Sequence, residues 1–155
     1  MSAASPEPAS LRIEMTTTPG LHLLAQDAED LAVIAAALQD AVGKLGDISY
    51  EPASRRLTLA LNRYRWEGKG GERVRSALQF GSVMKVEARK LRRGAKDAVV
   101  ELLSIGFEPG EAPGGAVVFT FAGGGDLRAQ VECLDVVLAD VSAPWPARRT
   151  PAHDA

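Results

Sequence analysis

Apolar and polar positions alternate with period two through most of this chain, most regularly between Gly114 and Cys133. Val117, Phe119 and Phe121 alternate with Val118 and Thr120. After Gly123, Gly124, Gly125 and Asp126, the residues Leu127, Ala129, Val131 and Cys133 alternate with Arg128, Gln130 and Glu132. Alternation on both sides of a Gly-rich turn predicts a β-hairpin with one buried face. From Leu134 the spacing changes. Leu134, Val137, Leu138 and Val141 stand at i, i+3, i+4 and i+7, which predicts a short closing helix.

Upstream, Leu21–Ala25 is a short apolar run that predicts a first strand. Asp27 is a good helix N-cap, and Glu29 and Asp30 follow in the first turn, where the helix dipole favours acids. Leu31, Ile34, Ala35, Leu38, Val42 and Leu45 continue at helical spacing toward Gly43 and Gly46. Period two then takes over. It predicts strands at Ile48–Tyr50, Arg56–Trp66, Arg73–Phe80, Val83–Leu91 and Val99–Phe107, with a turn at Glu51–Arg55 and a corner at Gly81. Val74, Ser76, Leu78 and Phe80 are assigned to one face, and Met84, Val86 and Ala88 to the inner side of the next strand.

These elements predict an α+β fold. Its centre is a strongly bent antiparallel sheet of about seven strands in meander order, with one N-terminal helix and a short C-terminal helix. In outline this resembles a pleckstrin-homology-like roll; a plain α+β sheet with helices on one face is the alternative. The domain spans 21–142. Residues 1–20, rich in Ala, Ser, Pro and Thr, read as a disordered tail, and 143–155, with Pro144, Pro146 and Pro151, as an extended one. Trp145 is expected to tuck back on the sheet.

Composition narrows the setting. With 155 residues the chain fits one domain able to bury its own core. No apolar run is long enough for a membrane helix, and the N-terminal stretch lacks the form of a secretory signal. The single cysteine, Cys133, forms no internal disulfide, and the cytoplasm is the expected compartment. Net charge is −2, but its distribution is uneven. Thirteen Lys and Arg stand against three Glu between Pro52 and Lys96, whereas five basic and seventeen acidic residues make up the remainder.

That asymmetry directs attention to Arg63, Arg65, Arg73 and Arg75. On adjacent strands they would share one face if the register permits, with Tyr64 and Trp66 on the other. Such a cluster binds anions, and the partner expected is an acidic protein surface, with RNA the weaker option because alternation separates aromatics from charges. The bland reading is a solvated face paired to Glu67, Glu72 and Glu51. A homo-oligomer joining basic strands to acidic surface is a further option. The glycines at 123–125 precede a strand rather than a helix, so they form no dinucleotide loop. His22, His153 and Cys133 give no metal-ligand spacing, and no cofactor is expected. Cys133 on the apolar face reads as a buried thiol, and Asp135 and Asp140 as a solvated helix face. A small enzyme acting on an anionic substrate around His22 or Cys133 is the alternative to a non-enzymatic binding module.

The runs LHLLAQDAEDLAVIAAALQDAVGKLGDISYEPASRRLTLALNRYRWE, RVRSALQFGSV, FEPGEAPGGAVVFTFAGGG and PWPARRTPAH resemble a family of small alphaproteobacterial proteins of unknown function. The resemblance covers nearly the whole chain after Gly20. It implies a bacterial, cytoplasmic, single-domain protein and brings no catalytic residues.

Overall fold

The computed structural model describes residues 20–68, 70–92 and 94–147. The expectations for the tail at 1–19, for 148–155 and for His153 lie outside the described residues. Among the described residues are eleven strands and one α-helix. In chain order they are β1 (His22–Ala25), α1 (Ala28–Ala37), β2 (Val42–Lys44), β3 (Ile48–Glu51), β4 (Arg56–Tyr64), β5 (Glu72–Phe80), β6 (Val83–Arg89), β7 (Val99–Pro109), β8 (Gly115–Phe121), β9 (Asp126–Val131), β10 (Val136–Asp140) and β11 (Trp145–Pro146).

Every strand pair is antiparallel. The order is β1-β10-β5-β4-β2-β7-β8-β9-β6, with β3 added to β4 and β11 to β5. The short strand β2 joins two halves: it pairs with β4 through Val42 and Asn62, and with β7 through three residues. The halves pack over one core. Leu57, Leu59 and Leu61 of β4 and Leu78 and Phe80 of β5 are buried with Val117, Phe119 and Phe121 of β8. Phe80 meets Phe119 nearly edge to face, ring centroids 5.4 Å apart at 81°, a favoured aromatic geometry. Each such fully buried side chain contributes about 1.5–3 kcal/mol.

The predicted hairpin is present as β8 and β9, with Gly123 and Gly124 at φ +92° and +96°. That left-handed backbone suits glycine and explains the turn. The helix starts where its cap predicts, with the Asp27 carboxylate accepting from the Asp30 N–H at 2.8 Å. It packs against β7 and β1 with Leu31 and Ile34 buried.

Several expectations are corrected. The helix ends at Ala37 and does not run to Gly43. Asp40 adopts φ +67°, its N–H donates to the Leu102 carbonyl at 2.9 Å, and Leu102 N–H returns to Ala41 at 2.8 Å. Pairing with β7 thus converts Val42–Lys44 from helix to strand, a tertiary override of local periodicity. There is no closing helix at Leu134–Val141: Val136–Asp140 is a strand held between β1 and β5. Both its faces are largely buried, and a short run buried on both faces loses the alternation that marks a strand. The roll comparison, carried by the strand count and that helix, goes with them. The sheet holds eleven strands, not about seven, because two- to five-residue strands carry too little pattern to be counted. The order is not a simple meander, since β6 pairs with β9 and β10 with β5. Met84 points outward, half exposed, because a register shift between Val83 and Lys85 turns Val83 and Val86 inward instead.

Candidate functional site

Arg63 of β4, Arg65 just after it, and Arg73 and Arg75 of β5 do not share one face. Register sets Arg63 opposite Val74, Tyr64 opposite Arg73 and Asn62 opposite Arg75. Directly paired residues share a face, so Arg63 faces the interior while Arg73 and Arg75 lie on the opposite face with Tyr64. Trp66 lies against Tyr64, ring centroids 4.6 Å apart and planes tilted by 59°, and Trp145 pairs with Arg73 from β11, itself partly exposed. Aromatics and charges therefore meet on one face across strands, although alternation separates them within each strand.

Arg63 is fully buried. Its Nε and Nη2 donate to the two Asp140 oxygens at 2.9 and 2.8 Å, and its Nη1 and Nη2 donate to Glu67 at 3.0 and 2.7 Å. Asp140 also accepts from Ser76 Oγ at 2.6 Å and from the Leu21 N–H at 2.9 Å. Burial works against the charge on Arg63, but the bonds to Glu67 and Asp140 outweigh it and raise its pKa further. Burial likewise opposes ionisation of Asp140, yet Arg63, Ser76 and the Leu21 amide hold its carboxyl below the usual range. The bond from Arg63 lowers Glu67 in the same sense. This closed network clasps β4, β5, β10 and the entry to β1; it offers no open donor to a ligand. Asp140 was expected on a solvated face and is instead buried. No local signal links it to Arg63, 77 positions away.

The other arginines are partly engaged. Arg65 pairs with Glu72 and Glu67, and Arg75 reaches Asp47 and the Asn62 side chain, both at 3.0 Å. Arg73 donates to the Asn62 carbonyl at 3.1 Å. The third acid expected to pair with them, Glu51, accepts instead from Ser54 Oγ at 2.8 Å.

A different feature has the form of a binding site. Among the described residues, β3 pairs only with β4 and β6 only with β9. The two strands are pinned at one end, where Tyr50 Oη donates to the Val83 carbonyl at 2.7 Å and Val83 N–H donates to the Arg55 carbonyl at 2.9 Å. Beyond that pin lies an apolar cleft of about 280 Å³. Ile48 and Tyr50 of β3, Leu57 of β4, Val86 and Ala88 of β6 and Leu127 of β9 line it. Leu45, at the start of a short 3-10 helix, and Leu91, just beyond β6, complete the wall. Most of these side chains are only half-buried, as befits an open slot with an apolar floor. The period-two pattern marks Val86, Ala88 and Leu127 as inward residues, but not as residues left without a facing layer; Leu45 stands at helical spacing instead.

His22 and Cys133 lie apart. His22 is exposed on β1 opposite Ala139, near one end of β10, whereas Cys133 precedes the other end. Cys133 is half-buried rather than buried, because the chain leaves β9 at Val131 and bends before reaching it. Its Sγ is 3.9 Å from Ser82 Oγ. Neither residue lines the apolar cleft. Among the described residues no cluster of His, Cys, Asp and Glu is arranged to hold a metal ion, and no helix is long and apolar enough to cross a membrane.

No curated protein and no solved structure matches the chain. A family model matches residues 21–153, from the start of β1 through β11 and beyond, and so takes in both the clasp and the cleft; the chain belongs to the family described as protein of unknown function (DUF2948).

Proposed function

We propose that this is a non-enzymatic binding module of the alphaproteobacterial cytoplasm, and that its site is the apolar cleft between β3 and β6. One observation carries the reading: half-buried apolar side chains of β3 and β6 stand over a buried floor of Leu57 and Leu127, between two strands that do not pair with each other. An apolar concavity of this size takes a small apolar ligand, because burying its surface and the wall removes both from water. The four arginines offer a poorer basis for an anionic partner, since Arg63 is sealed and Arg65 and Arg75 meet acids. The single Cys133 suits a reducing compartment.

The test uses the neutral fluorescent probe N-phenyl-1-naphthylamine. The wild-type protein is expected to bind it saturably with a rise in fluorescence. Ala88→Phe fills the cleft from β6 and is expected to abolish that rise while leaving the circular dichroism spectrum and the melting temperature nearly unchanged. Absence of saturable binding to the folded wild-type protein, or undiminished binding to folded Ala88→Phe, would overturn the proposal.

A further inference from the structure

The loop from Lys90 to Asp97 borders the cleft through Leu91. In sequence it holds four cations, Lys90, Arg92, Arg93 and Lys96, against one acid, Asp97. Its backbone is held at both ends. Gly46 N–H donates to the Lys96 carbonyl and Leu45 N–H to the Ala98 carbonyl, both at 2.9 Å. At the other end a Cβ on Gly125 would come within 2.5 Å of Leu91 Cδ2 and 3.0 Å of the Lys90 carbonyl, so the loop sits directly on that glycine. Leu91 is thereby placed in the cleft wall, with Lys90 and Arg92 flanking it. Lys90 itself adopts φ +58°, a strained conformation for a residue with a side chain, and one that persists only where its surroundings impose it.

The nearby acids are already engaged. Asp97 is 3.7 Å from Lys44, Asp47 3.0 Å from Arg75, Glu87 3.4 Å from Lys85 and Asp126 2.7 Å from Arg89. Lys90, Arg92 and Lys96 are exposed and form no salt bridge among the described residues, though Lys90 lies near enough to Asp126 to help hold its carboxyl below the usual range. An apolar slot with exposed cations beside it is complementary to a ligand with an apolar body and an anionic head. We infer that the cleft takes a free acyl carboxylate, its chain along Ile48, Val86 and Leu127 and its carboxylate toward the loop of Lys90, Arg92 and Lys96. This rests on the cleft being the binding site.

The experiment compares octanoate, 1-octanol and octylammonium at pH 7 as displacers of N-phenyl-1-naphthylamine. They share a chain and differ in the charge of the head. Octanoate is expected to displace the probe at a concentration about tenfold lower than octylammonium, the combined effect of a few solvent-exposed charge contacts. 1-Octanol is expected to fall between them. In the triple variant Lys90→Gln, Arg92→Gln, Lys96→Gln the three are expected to converge, as they should for wild type in 1 M salt. If octanoate is no better than 1-octanol, or if its advantage survives in the triple variant, the head-group assignment is overturned while the apolar site stands. If the probe binds the cleft and none of the three displaces it, the acyl ligand is overturned. If the probe itself does not bind, the site fails and the inference fails with it.

Discussion

At the residue scale, Asp140 and Arg63 show how far a side chain's role depends on partners distant in sequence. Asp140→Asn leaves a buried guanidinium with only the partly exposed Glu67 as its acid, and breaking a buried pair in this way costs about 3–5 kcal/mol. Urea unfolding is expected to show a loss near 3 kcal/mol because Glu67 compensates in part. Asp135→Asn, at an exposed position before β10, is expected to stay within about 0.5 kcal/mol. The pH dependence follows from the same residues. Asp140 and Glu67 both have depressed folded-state pKa values. Their contribution is therefore fully present above the unfolded values of about 4 and is lost as pH falls through the lower folded values. Stability measured from pH 7 downward should hold until about pH 5 and then decline, and the decline should be shallower in Asp140→Asn. The arginine-rich composition was legible in the sequence. The burial of Arg63 was not, because whether it faces Val74 or solvent depends on register and on Asp140 arriving from β10.

At the element scale, local chemistry decided starts better than ends. Asp27 announced α1, and removing its cap by Asp27→Ala should cost about 1 kcal/mol in thermal or urea unfolding. Ala37 did not announce the helix end, which is set by Asp40 and Ala41 pairing with Leu102 on β7. The β8–β9 hairpin was legible because alternation and a glycine turn agree. β10 was not: Leu134, Val137, Leu138 and Val141 fit a helical stripe, and only its position between β1 and β5 makes Val136–Asp140 extended. Backbone chemical shifts for Val136–Asp140 are expected to be those of a strand, and their amides should exchange among the slowest in the protein. Helical shifts there would contradict the sheet order on which both clasp and cleft depend.

At the scale of the whole molecule, the fold is two antiparallel half-sheets joined by β2 and packed through Phe80 and Phe119, with α1 against β1 and β7. The strands β3 and β6 are left unpaired to each other beyond the Tyr50–Val83 pin, and the cleft is the result. Val86 and Leu127 were each readable as inward residues. That they line a slot rather than a filled core depends on the sheet order, which leaves β3 and β6 unpaired to each other and which no stretch of sequence encodes alone. The most direct measurement is a titration of the isotope-labelled protein with 1-octanol, followed through its backbone amide resonances. Saturable shifts confined to residues 45–50, 57, 86–91 and 127 would place the ligand in the cleft, as expected. Shifts centred elsewhere, for instance around Trp66 and Trp145, or no saturable shifts at all, would contradict the cleft as the binding site.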